Sequence, residues 1–564
     1  MKAHLNFLTS IAILTSILLF TNCEQKLDDT QFRSFVSEFE KEYIPAHTAM
    51  KLAEFNAAIS GSDSDYQKAA ELNIKITELL SDEVNFKTLE KYKNSNLLTD
   101  KLLKRELDIL YNMYHFHQVE KVKMADMIHK SQKIAQKFSK FRATVEGEVH
   151  TDAEIEQHLR NTLNNKELEL HWKASKEVGH VVAEDFIELV KMRNDAAKSL
   201  GYNNYFEMRL ILNDQDPAKL ESIYEEFDLI TRDPYKEIKA TIDERLSVIY
   251  SIPPAQLMPW HYQNRFFQSA PNIFDVNLDG YYAGRNIVKI AQFYYKGIGL
   301  KIDDVLANSD LFSRDGKTPA GFATDIDREG DIRIVATMDV SEYSMNTMLY
   351  ESAYSAYLKN IKRELPYVLR EPSHVFVADA IATLFSRFSA NPDWLEEMIT
   401  ISKKEKAGIV DKCNLHHMMN KLVFSRWAQV MYHFEKSLYE NPDQNLNKLW
   451  WTLVGEYQKL NAPENWDNPD WATKIHLITQ PCTYHNYILG ELFASQLHAY
   501  IKSNIVKDEN DDCAVKCINN PEIGMYLIDQ IFKHGKSLNW EEIVESSTGE
   551  PLNPDFYKRQ YINP

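Results

Sequence analysis

The stretch Met348-Leu-Tyr350-Glu351-Ser352-Ala353-Tyr354 has the skeleton of a metal-binding helix. Zinc hydrolases of the one-helix kind place two His four residues apart on one face, so that both imidazoles reach one ion. A Glu directly after the first His serves as general base. Here the Glu is kept as Glu351, and Tyr350 and Tyr354 stand at the two ligand places. Neutral phenols, titrating near about 10, are poor zinc ligands at neutral pH. No other pair makes good the loss. The chain has 18 His, and no two are three or four residues apart. His115 and His117, like the adjacent His416 and His417, would point to different sides of a helix. Cys and His clusters of the usual zinc-site spacing are absent too.

The elements that would carry these residues are readable around them. Phe322–Ile326 and Ile332–Met338 are short β-branched runs, with Asp327-Arg-Glu-Gly330-Asp331 between them, and read as a hairpin. A helix follows from near Ser341 to about Ile361 and carries Glu351. Most of the remaining chain shows helical periodicity. Phe32, Phe35, Val36 and Phe39 share one helix face. Ser60–Asp65 reads as a loop, Thr99–Gln136 and Asp152–Leu200 as helical segments, and Gly201 as a helix C-cap. Ile252-Pro-Pro254 ends a helix near Tyr250. With only 17 Gly and 19 Pro in 564 residues, the expected class is mainly α with one small hairpin.

Charge and cysteine usage narrow the partners. Lys plus Arg number 64 and Asp plus Glu 82, a formal net charge of −18, which argues against nucleic acid. Residues 1–23 carry Lys2, then an uncharged apolar run ending at Cys23, the pattern of a lipoprotein signal. A lipidated Cys23 would anchor the mature chain to a membrane of the cell envelope, facing the periplasm or the surface. An uncleaved N-terminal anchor and plain secretion are the alternatives. Five cysteines in a chain this long exclude a disulfide scaffold. Cys513 and Cys517 read as unpaired core residues, with a bridge or a lone redox pair as alternatives.

Further stretches make the chain resemble the peptidase M2 family, the angiotensin-converting-enzyme type of peptidyl-dipeptidase. Asn447-Lys-Leu-Trp450-Trp451 through Tyr457-Gln458 is similar to the family's paired-Trp helix. Lys474-Ile-His476 followed by Pro481, Tyr484 and Tyr487 is similar to its Lys-x-His … Pro-Tyr-x-x-Tyr segment, with one residue inserted. Trp540 and Thr548-Gly549-Glu-Pro551 resemble its C-terminal turn, and Arg193–Tyr202 a helix end in its first half. The order agrees, and the likeness spans roughly residues 30–560.

The resemblance implies a role for each matching position. The family's zinc-binding His fall on Tyr350 and Tyr354, and its general base on Glu351. The third ligand, a Glu, falls at Asp379. The substrate-holding strand falls on Phe322-Ala323-Thr324, where its His is lost. The Lys and Tyr that hold a peptide's terminal carboxylate fall on Lys474 and Tyr484. Their assisting Gln falls near Tyr262 or Gln263. The oxyanion-stabilising His and Tyr fall on His476 and Tyr487, and a chloride-binding Arg on Asn486. The fold implied is a helical ellipsoid, residues 24–564 forming one domain whose two subdomains flank a deep central cleft.

Zinc in such a family activates a water and polarises a carbonyl. With two phenols and at most one carboxylate, no three-ligand site forms, so no cofactor is expected and the chain reads as a non-catalytic pseudopeptidase. A peptide C-terminus or a protein partner would still find Lys474, Tyr484, His476 and Tyr487. The alternatives are an active peptidyl-dipeptidase, and a structural surface protein whose cleft is a relic.

Overall fold

The computed structural model describes residues 27–562, apart from residues 275, 320 and 509–512. Residues 1–23 and the lipidation expected at Cys23 therefore lie outside the described residues. Helices dominate. The first, Asp29–Ser60, starts where the Asp28 carboxylate accepts hydrogen bonds from the backbone of Thr30 and Gln31. It buries Phe32, Val36 and Phe39, the face its periodicity marks. The loop expected at Ser60–Asp65 shrinks to two residues, because the next helix already begins at Asp63, capped by Ser62. Gly61 ends the first helix at φ 66, and a Cβ there would lie 1.8 Å from the Gly316 carbonyl oxygen. Only a glycine lets these two backbones meet.

Two long helices, Pro217–Tyr250 and Lys403–Glu440, pack against each other. The first begins after Asp216 with Pro217 in its first turn and ends, as the proline pair requires, at Tyr250. Between them the buried Arg426 guanidinium is held by Asp228 and Thr231. Charge and hydrogen bonds are matched there, which is the condition for burying a cation. The larger hydrophobic cluster takes in Met345, Met348 and Leu349 of the Glu342–Lys359 helix. A smaller one joins Phe32–Tyr114 side chains to Tyr367, Val368 and Leu369. No helix among the described residues is long and apolar enough to cross a membrane.

The expected hairpin is present as antiparallel strands Phe322–Asp325 and Ile332–Met338. Asp327 shapes its turn by accepting the backbone N–H groups of Glu329, Gly330 and Asp331. The sheet is larger than anticipated. Asp310–Phe312 adds a third strand, parallel to Ile332–Met338, which leaves Phe322–Asp325 at an edge. A second hairpin, Ala143–Val145 with Glu148–His150, was not expected. Cys513 and Cys517 are disulfide-bonded rather than unpaired, while Cys413 and Cys482 are free and buried.

Candidate functional site

The helix Glu342–Lys359 begins as its sequence predicts. Ser341 caps it, accepting from the Ser344 backbone, and Asp339 accepts from the Ser341 backbone and the Ser344 hydroxyl. That cap sets the phase of the helix, and with it the direction in which Tyr350, Glu351 and Tyr354 project. All three line a cavity of about 850 Å³. Ala323 of the edge strand, Asp379 of the Val375–Ser386 helix, and Asn486 and Tyr487 of the Asn486–Tyr500 helix line it as well. A smaller cavity of about 480 Å³ adjoins it and shares Ala323 and Tyr354.

Within the larger cavity the Tyr350 hydroxyl donates to Asp379 Oδ1 at 2.7 Å. Burial, followed by the Asp379 charge, holds the Tyr350 and Tyr354 phenols far above their ordinary range. Burial pushes the Asp379 carboxyl up to about 6, against the opposing Tyr350 hydrogen bond. Glu351 is only 6% exposed, and burial with the adjacent Asp379 pushes its carboxyl up to about 8. The Ala323 backbone hydrogen-bonds Glu351. A Cβ on Gly321 would lie 3.1 Å from Thr347 and 3.5 Å from Glu351 Oε1, so strand and helix are in close contact here.

These residues do not fit a zinc ion. Two phenols that keep their protons leave one carboxylate, Asp379, already engaged by Tyr350. Three anionic or imidazole ligands are needed. Burial and the neighbouring Asp379 favour the protonated form of the Glu351 carboxyl, which works against its use as a base.

Lys474, His476 and Tyr484 sit beside this cavity rather than in its lining. Lys474 is 7% exposed, and its ammonium donates to Gln268 Oε1 at 2.8 Å. It lies 5.3 Å from the ring centroids of Phe266 and Trp427 and 5.6 Å from that of Tyr484. Burial, with Arg265 nearby, lowers it to about 8. The glutamine at this lysine is Gln268, not Gln263. Gln263 instead accepts from the Asn272 backbone at 2.7 Å, and the Tyr262 hydroxyl donates to Asp243 at 2.8 Å.

Before Tyr484 the chain turns sharply. Cys482 adopts φ 59, and its N–H is held by Glu435 at 2.7 Å. Tyr484 still reaches the lysine, and its oxygen accepts from Trp427 Nε1 at 2.6 Å. Its ring lies 5.1 Å from that of Tyr487, which carries the group to the cavity wall. His476 is 6.0 Å from Tyr484 and neutral, lowered to about 4 by burial and by Lys474, with Nδ1 buried and unpartnered. Gly179 sets how deeply this segment sits, since a Cβ there would lie 2.5 Å from the Pro469 carbonyl oxygen and 3.1 Å from Thr473.

Asn486 is enclosed in an uncharged network. Gln215 donates to Asn486 Oδ1 at 2.8 Å and its carbonyl oxygen lies 2.8 Å from His485 Nε2. Burial pushes His485 down to about 3, so it adds no charge.

A helix-dominated fold, a three-stranded sheet edge and a Tyr-Glu-x-x-Tyr helix facing one cavity give the layout of a one-helix metallopeptidase with tyrosines at its two His places. The peptidase M2 family model, described as angiotensin-converting enzyme, matches residues 26–263 and 278–554, and the chain belongs to that family. A search among curated proteins found no match.

Proposed function

We propose that this M2-family protein binds peptides, or a partner's C-terminal segment, in its cleft without hydrolysing them. The observation that carries this reading is the Tyr350–Asp379 hydrogen bond, made where the family's metal ligands fall. Beside it, burial and Asp379 hold the Glu351 carboxyl well above its ordinary range, which supports a non-hydrolytic role.

The lysine group supports ligand binding. Lys474 is a buried cation whose nearest partners are a neutral amide and aromatic faces. A free α-carboxylate would supply the missing counter-charge, and Tyr484, whose oxygen already accepts from Trp427, would donate its hydroxyl proton to it. Ala323 lies on an edge strand, where an extended peptide can add by backbone pairing. We place the protein outside the cytoplasm, anchored through acylated Cys23. The uncharged run before Cys23 supports this, as does the Cys513–Cys517 disulfide, a bond that persists in oxidising compartments.

The test uses a blocked tripeptide with a free C-terminus, incubated with the protein with and without added Zn²⁺ and followed by chromatography and calorimetry. Binding without cleavage is expected. Cleavage that disappears in a Glu351→Gln variant would overturn the reading in favour of an active peptidyl-dipeptidase. Neither binding nor cleavage would leave a structural role.

A further inference from the structure

Three histidines far from the Tyr350 motif come together in the fold. His150 ends the strand Glu148–His150, His158 lies on the helix Asp152–Asn161, and His171 on the helix Asn165–Lys176. Each position is fixed locally. The hairpin turns at Glu146 and Gly147, with φ 50 and 91, and pairs His150 with Ala143. Thr151 and Glu154 form a reciprocal cap on the next helix. Asn164 caps the third element by accepting from the Lys166 and Glu167 backbone.

The ring centroids lie 4.1 Å apart for His158–His171, 5.2 Å for His150–His171 and 5.5 Å for His150–His158. One nitrogen from each ring falls within 4.8 Å of the other two. Nitrogens bound to one zinc at about 2.0–2.1 Å in tetrahedral geometry sit roughly 3.3 Å apart. Small side-chain rotations close the difference.

His171 is already arranged as a ligand. Its Nδ1 is 2.7 Å from the Glu167 carbonyl oxygen, which can only accept, so Nδ1 carries the proton. The lone pair is then on Nε2, and Nε2 is buried without any hydrogen-bond partner in a side chain that is 5% exposed. A buried unpaired acceptor costs stability unless something fills its coordination. A backbone carbonyl that fixes the tautomer of a His is the usual support behind a metal-binding imidazole.

We propose that His150, His158 and His171 bind a first-row divalent metal ion, zinc by preference, with water as fourth ligand. Three imidazoles match zinc's ligand choice. The ion would add a polar clip between a strand end and two helices that already share the hydrophobic core through Ile155, Leu159 and Leu168. This region abuts the lysine group of the cleft. Arg265 pairs with Asp152 and Glu156 on the His158 helix, and its carbonyl oxygen accepts from Lys176 and Trp172 on the His171 helix. The inference does not depend on the ligand-binding role of the cleft.

The test titrates Zn²⁺, and Co²⁺ as a visible-absorption probe, into metal-stripped full-length protein carrying no histidine tag. One ion per chain is expected, with the intense absorption of tetrahedral Co²⁺. His150→Ala and His158→Ala, both at partly exposed positions, should weaken binding by about 100-fold or more, since even supporting groups contribute 10- to 100-fold. His171→Ala serves as a third variant, and circular dichroism checks that each is folded. A Tyr350→Phe, Asp379→Asn double variant should bind as the wild type does. No binding at micromolar metal overturns the proposal, as does binding that survives His158→Ala. Metal lost only in the Tyr350, Asp379 double variant overturns both this site and the zinc-free cleft. Metal lost only in the His variants upholds both.

Discussion

The hydroxyl of Tyr350 and the carboxylate of Asp379 are hydrogen-bonded at 2.7 Å across two helices, Glu342–Lys359 and Val375–Ser386. The bond gives the two helices a direct polar tie. Tyr350→Phe removes it while keeping the ring. Loss of a buried hydrogen bond to a carboxylate costs about 1.5–3 kcal/mol. Urea unfolding followed by tryptophan fluorescence should show that loss. The Asp379 carboxyl, relieved of the bond that lowers it, should titrate higher still.

Glu351 makes stability depend on pH. Its carboxyl is raised in the folded protein from an ordinary 4.5 to about 8. Below pH 4.5 both folded and unfolded chains hold the proton, and the group has no net effect. Between 4.5 and 8 the unfolded chain releases it and the folded chain keeps it, so stability falls as pH rises, and levels off above 8. Glu351→Gln mimics the protonated form at every pH. It should melt with the wild type at pH 4.5 and later than the wild type at pH 8.5. The gain should be about 2–4 kcal/mol, each tenfold change in proton affinity being worth about 1.4 kcal/mol. Equal melting at both pH values would show that Glu351 is not held protonated.

If the cleft binds peptides as proposed, Lys474 should set both the specificity and the pH range of that binding. A peptide acid should bind more tightly than its C-terminal amide, and Lys474→Ala should remove the difference. A charge-assisted pair of about 1.5–3 kcal/mol corresponds to roughly 10- to 150-fold in affinity. The ammonium titrates near 8, below its ordinary 10.5, because burial disfavours the charge. Affinity should therefore be flat from pH 6 to 7 and fall above pH 8, measured by calorimetry. Acid and amide binding alike would mean that the lysine is not a ligand group.

Mass spectrometry of protein extracted from membranes should find no peptide from residues 1–22, and an acylated Cys23 at the new N-terminus. An intact Met1, or a cleaved but unmodified Cys23, would remove the lipid anchor from the description.

Local chemistry explains what could be read from the sequence. The motif helix begins at its Ser341 cap, and the hairpin turn is written in Asp327 and Gly330. Contacts between distant segments were not legible. Asp310–Phe312 is a three-residue strand whose pairing with Ile332–Met338 leaves no periodic trace. The glutamine at Lys474 is five residues beyond the one expected, because Gln263 turns at φ 61 and is taken up by Asn272. The Cys513–Cys517 bridge depends on a local bend that spacing does not specify. The histidine cluster escaped a search for zinc-site spacing because its members stand on a strand end and two successive helices, too far apart in sequence for the i, i+4 pattern. Near Lys474 the structure brings Tyr484 to the lysine, but places both beside the cavity rather than in its lining, which spacing alone does not specify.

Gly179 lies on the helix Val178–Ser199, against the turn that delivers Lys474, with no room for even a methyl group between that helix and Pro469. An alanine there would force the two backbones apart and shift the lysine relative to its aromatic cage. Under the proposed binding role, the position of the lysine is thus set from behind, at a residue on a neighbouring helix. Homologues that differ at this one position would be expected to differ in ligand strength while presenting the same side chains at the cleft.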